Sequence, residues 1–285
     1  MNKASTGFPP DNAERPWRFP TPPGVHADFE TATRCEEEDQ HRAATLKASP
    51  LAEAQALGAQ LALTGTPRLP PFSWASSRAA RVIRARVLGE ALPLMEGWKE
   101  GGRLFSSTII SHNWFFEPDQ LHLADARKMK RMFIRALERA GMRQANEKFI
   151  GRIEAALAVS RVTGRLGYAF HIHGAANTAM RDVLARLPRQ AGFSTTGDVA
   201  QPVRSVGLRP GEEVSTLGYG FKAFWKQKES GGNARPGGTE KIYTGGLTGD
   251  RLTEALLWLH RWTPGKLVIA IGTYDLRHAV RRSWY

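Results

Sequence analysis

The 285-residue chain carries 40 Lys and Arg against 27 Asp and Glu, a formal net charge of +13, and its isoelectric point is about 10.3. Such an excess of positive charge favours a polyanionic partner, with nucleic acid first. A single cysteine, Cys35, excludes an intrachain disulfide and any multi-cysteine zinc site, and fits a reducing compartment. No run of about eighteen apolar residues and no apolar N-terminal signal core is found, so the expected location is cytoplasmic, with no membrane partner.

Residues 1–24 contain Pro9-Pro10, Pro16, Pro20 and Pro22-Pro23 and read as an extended, largely disordered arm. The Ala, Glu and Leu content from Asp28 to Leu63 predicts one or two helices, followed by a linker rich in proline at Pro67, Pro70 and Pro71. This separates residues 1–72, an arm with short helices, from a main domain over 73–285 with a C-terminal helical extension. Trp74 to Leu94 reads as a basic helix ending near Pro93. Leu104 to Ile110 is a candidate first strand. Asp119 to Ala140 follows as a helix whose stripe of Leu123, Ala126, Met129, Phe133, Ala136 and Leu137 packs on the sheet.

Two alternating runs come next. Ile153, Ala155, Leu157 and Val159 fall on alternate positions, as do Leu166, Tyr168, Phe170 and Ile172, so both segments read as strands. Thr163-Gly164 supplies the turn of a hairpin. Pairing Ile153 with Ile172 makes a fully apolar ladder and sets Glu154 opposite His171. A two-residue slip sets it opposite His173 instead, and a one-residue slip would mix the two faces. Thr178 to Leu187 is a further helix, and Ser215 to Lys228 another. Gly231 to Gly238 is a flexible loop, Asp250 to Trp262 a helix with Leu252, Leu256 and Leu259 inward, and Leu267 to Ile271 a late strand. The order predicts an α+β fold, a mainly antiparallel sheet with helices packed on it.

His171 and His173, at i and i+2 on a strand, point to one face, where Glu154 joins them. Two imidazoles and one carboxylate leave open positions for water or a phosphate oxygen, and accept Mg2+ or Mn2+ as readily as Zn2+. Tyr219 and Lys222, three apart on a helix, share a face, and a lysine ammonium beside a tyrosine eases formation of the phenolate nucleophile. The plainer alternatives are an outward polar histidine pair, a core tyrosine and a solvated lysine. Basic clusters at Arg78 to Arg86, at Arg127 to Arg139 and at Arg277, Arg281 and Arg282 suit a polyanion, although each alone also fits a solvated helix face. Phe221, Phe224 and Trp225, interleaved with Lys222, Lys226 and Lys228, suit stacking on single strands.

The HxH of His171 and His173, the strand-opposed Glu154 and the downstream YxxK of Tyr219 and Lys222 stand in the order of the rolling-circle replication initiators. Over residues 100–230 or so, the chain resembles this branch of the HUH endonuclease superfamily. Ala223, four positions after Tyr219, makes it similar to the single-tyrosine type. The resemblance implies an RRM-like nuclease core and a metal-dependent enzyme that nicks and rejoins single-stranded or origin DNA of a plasmid or phage-like element. Glu154, His171 and His173 would hold Mg2+ or Mn2+. Tyr219 would form a 5′-phosphotyrosine link, and Lys222 would orient the phosphate or lower the tyrosine pKa. A host helicase and polymerase are the further partners such an initiator implies. The competing reading is a non-catalytic basic DNA-binding protein on the same type of fold. Cupin-like and amidohydrolase-like sites fit less well, because Asn177 and Thr178 stand where a cupin carries its next ligand, and only His260 and His278 remain downstream.

Overall fold

The computed structural model describes residues 32–63, 73–99, 102–143, 146–160, 162–222, 225–230 and 242–273. The proline-rich arm, the linker prolines, the 231–238 loop, Phe224 and the terminal Arg277, Arg281 and Arg282 lie outside the described residues.

Among the described residues, three helices precede the sheet: α1 (Ala32–Lys47), α2 (Ala52–Ala62) and α3 (Ser77–Trp98). Then come β1 (Phe105–Phe116), α4 (Ala126–Arg139), β2 (Phe149–Val159), β3 (Leu166–Ala176), α5 (Thr178–Leu184) and β4 (Val203–Gly207). These form a βαββαβ unit whose strands lie in the order β4-β1-β3-β2, every neighbouring pair antiparallel. After α6 (Glu213–Gly220), β5 (Lys226–Ser230) extends the sheet beside β2 in parallel, and β6 (Ile242–Gly246) pairs with β5. Helix α7 (Gly249–His260) follows, and β7 (Val268–Ile271) pairs with the first half of β2. The fold is α+β, a mainly antiparallel sheet, seven-stranded among the described residues, with helices packed on it. No helix among the described residues is long and apolar enough to cross a membrane.

The β2–β3 hairpin takes the register of the apolar ladder, with Ile153 opposite Ile172, Glu154 opposite His171, Ala155 opposite Phe170 and Leu157 opposite Tyr168. Gly164 closes it with φ of 68°, a conformation glycine adopts without steric cost. Residues paired across an antiparallel ladder project from the same face. One face therefore collects Ile109, Ile153, Leu157, Tyr168, Phe170 and Ile172, all fully buried. Helix α4 covers it with Met129, Phe133, Ala136 and Leu137, and the Phe133 and Phe149 rings meet at 5.9 Å. Trp258 of α7 packs on Phe170 at 5.0 Å. The opposite face carries Arg152, Glu154, His171, His173 and Thr108, and α6 and the Trp74 segment lie over it.

Several elements differ from their sequence reading. Helix α4 begins at Ala126, where the Asp125 carboxylate accepts hydrogen bonds from the backbone N–H groups of Arg127 at 2.7 Å and Lys128 at 3.0 Å. Leu123 thus falls in a separate short turn and is exposed. Helix α3 runs through Pro93 to Trp98, because burial of Met95 and Trp98 beyond the proline outweighs its missing N–H. Two members of its basic cluster do not face solvent: Arg81 and Arg84 are buried, and Arg81 pairs with Glu38 of α1 at 2.9 Å. Ala43, Leu46, Leu57 and Leu61 of α1 and α2 join Leu256 and Leu257 of α7 in a second apolar cluster, which ties the N-terminal helices to the sheet layer.

Candidate functional site

The anticipated site residues meet on one patch of the sheet. Glu154, in the middle of β2, has no solvent exposure. Its Oε2 accepts a short charge-assisted hydrogen bond from Lys222 Nζ, while Oε1 faces His171 Nε2 at 3.4 Å and has no hydrogen bond. Burial by itself raises this carboxyl, but Lys222 and then His171 outweigh it and hold the group well below the usual carboxylate range. His173 Nδ1 lies 2.9 Å from Thr108 Oγ1 on β1. Burial pushes the His173 imidazole down to about 4 against the pull of Glu154, so its ring is neutral at pH 7.

Tyr219 sits in the last turn of α6, 46 % exposed, with its ring edge-on to His173 at 5.2 Å. Lys222 Nζ lies 4.5 Å from the centre of the same ring. One expectation for this pair is overturned. The helix does not continue to Lys228: it stops at Gly220, and Lys222 lies beyond its C-cap, Phe221. Gly218 and Gly220 weaken the helix, and burial of Phe221 and Trp225 draws the chain onto the sheet, where Lys226 pairs with Ala156. Phe221 and Trp225 are consequently core residues rather than stacking platforms; Trp225 packs against Phe170 at 5.6 Å. Nor is the phenol eased toward its anion here. Burial, followed by the Glu154 carboxylate, raises the Tyr219 pKa.

Arg152 was not anticipated. It lies opposite His173 in the ladder, is 1 % exposed, stacks its guanidinium 4.2 Å from the Trp74 ring, and donates from Nη1 to the Lys222 carbonyl at 2.9 Å. Burial lowers its pKa to about 10, with Glu154 opposing, so it stays charged at pH 7. The signal was available, since Arg152 stands two residues before Glu154 and shares its face. Thr108, paired with His173 in the register, was equally legible once β1 is set beside β3. The patch thus holds two buried cations against one carboxylate beside a neutral imidazole, an electrostatic setting for an anion.

Among the described residues, no three His, Cys, Asp or Glu side chains are already placed as an ion-holding group. Lys222 supplies the counter-charge of Glu154, and His173 turns Nδ1 to Thr108. The donor set still suits a divalent ion: Glu154 Oε1 is buried without a hydrogen bond, His171 Nε2 faces it, and His173 is neutral. The other candidates lie elsewhere. Tyr168 points to the opposite face and donates to Glu254 Oε2 at 2.9 Å. His260 meets Ser73 Oγ at 3.0 Å. Tyr274 and His278 lie outside the described residues. Comparison of the chain with family models, curated proteins and solved structures finds no match.

Proposed function

We propose that this chain is an endonuclease and strand transferase that nicks and rejoins single-stranded origin DNA, initiating rolling-circle replication of a plasmid or phage-like element in the cytoplasm. The observation that carries this reading is Tyr219, a half-exposed tyrosine whose ring rests on His173 beside the Lys222 ammonium, at the mouth of a buried patch with excess positive charge. A phosphate at Tyr219 lies in the field of the buried Arg152 and Lys222 charges and meets Tyr219 as nucleophile. The Tyr219 oxygen attacks phosphorus in line, the bond to the 3′ oxygen breaks, and the phenolic proton is balanced by the one the freed 3′ hydroxyl takes up. Reversal by a 3′ hydroxyl restores the phosphodiester and releases the tyrosine. Glu154, His171 and His173 would hold Mg2+ or Mn2+, which supplies charge neutralisation at the phosphate when bound. The free 3′ end is a primer for a host polymerase, with a host helicase opening the duplex.

The test is adduct formation. Incubated with single-stranded origin oligonucleotides and Mn2+, the wild type is expected to give a covalent protein–DNA band on denaturing gels. Tyr219→Phe should lower the band by on the order of a thousandfold or more, as nucleophile deletion does, with DNA affinity retained. An undiminished adduct from Tyr219→Phe removes Tyr219 as nucleophile. No adduct from the wild type on any single-stranded substrate leaves the non-catalytic DNA-binding reading in its place.

A further inference from the structure

We infer that Lys222 is a built-in stand-in for the divalent ion, competing with it for Glu154 and moving toward Tyr219 when the ion binds. The inference rests on the reading of Glu154, His171 and His173 as the ion-holding set. Glu154 is fully buried, and Lys222 Nζ occupies its Oε2. Arg152 already contributes a second buried cation in the same row. A divalent ion added without any departure would place three positive centres around one carboxylate, where low dielectric makes their repulsion several times that in water.

One of the two resident cations must therefore leave, and Lys222, bonded to the carboxylate itself, is the one the ion displaces. Arg152 is locked between the Trp74 ring and the Lys222 carbonyl. That bond holds the backbone of residue 222, not its side chain. Lys222 lies just past the last turn of α6, and its ammonium is already 4.5 Å from the centre of the half-exposed Tyr219 ring. Rotation about its side-chain bonds carries the charge from Glu154 outward past the phenol. The ion then takes over Glu154 as the Lys222 ammonium leaves it.

Mn2+ binding to the full chain, read from the electron paramagnetic resonance of the free ion, tests this without any DNA. Lys222→Met and Lys222→Gln, which remove the competing charge and keep much of the volume, should bind Mn2+ about tenfold or more tightly than the wild type, and Glu154→Gln should lose the site. If a Lys222 variant fails to fold in chelator, circular dichroism with added Mn2+ decides: recovery of the fold supports the competition, and no recovery in either variant overturns it. Equal or weaker affinity in both Lys222 variants overturns it, as does absence of Mn2+ binding in every protein. Tighter binding by the Lys222 variants alongside a wild type that never forms a DNA adduct would leave the competition standing and remove the nicking reading alone.

Discussion

The two faces of the central sheet bury their side chains by opposite physics. Toward α4 and α7, Phe133, Phe149, Phe170 and Trp258 interlock as an apolar core, where removal from water drives assembly and any hydrocarbon of the right volume serves. Toward α6, Arg152, Glu154 and Lys222 are buried almost as deeply, yet each is charged and is tolerated only through its neighbours. The first face makes the fold stable. The second uses some of that stability to hold charge where water would otherwise screen it, which is what pre-organised chemistry on an anion requires.

Urea denaturation in chelator separates the two regimes most sharply. Phe133→Ala should cost about 3–5 kcal/mol, as truncation of a buried aromatic does. Lys222→Ala should cost a similar amount, about 3–5 kcal/mol, by leaving Glu154 buried and unpaired. The difference lies in rescue: adding Glu154→Gln should return most of the Lys222→Ala loss and none of the Phe133→Ala loss. Failure of that rescue would mean that the charged face is held by packing like the other.

A smaller effect is expected from acid. The folded pKa of His173, about 4, lies below the ordinary value of 6.5, so the unfolded chain binds the proton more readily between those values. The contribution is intact above about pH 6.5 and is lost as pH falls toward 4, by on the order of 1–3 kcal/mol. His260 is also lowered by burial and adds in the same direction. The slope that disappears in His173→Gln is therefore the measure; an unchanged urea-midpoint profile in that variant would count against a buried neutral His173. Smallest of all, Thr108→Val removes the partner of His173 Nδ1 at 2.9 Å and should cost about 1 kcal/mol in the same denaturation assay.

How much of this could be read from the residues depended on whether their signal was local. The pairing of Glu154 with His171 followed from Ile153, Leu157, Tyr168 and Ile172 alone, since an alternating ladder admits few registers. The strand at Val268–Ile271 and the buried stripe of α4 were visible for the same reason. Arg152 escaped because it precedes the apolar alternation, and a charged residue there reads as surface until Trp74, far earlier in the chain, is set over it. The segment after Tyr219 misled because its spacing fits a helix, whereas Phe221 and Trp225 are claimed by a core assembled from β3 and α7. Strand β4, with its alternating exposed Arg204 and Val206, has too weak an apolar pattern to stand out without β1 beside it. The site residues were thus legible as types and order, and their mutual charge balance was not.

Gly220 sets the clearance of this machinery. A β-carbon there would sit 3.1 Å from His173 Cδ2 and 3.3 Å from the His173 carbonyl oxygen, so α6 or the His173 ring must give by a few tenths of an ångström to admit even one methyl group. Tyr219 rides on that turn and would move with any shift of α6. A residue with no functional group at all therefore bears on how far Tyr219, the proposed nucleophile, stands from the histidine row. If Tyr219 is the nucleophile proposed above, a search for inactive but properly folded variants is expected to find Gly220 among them, with second-site revertants that shrink side chains between α6 and β3 rather than alter the charges.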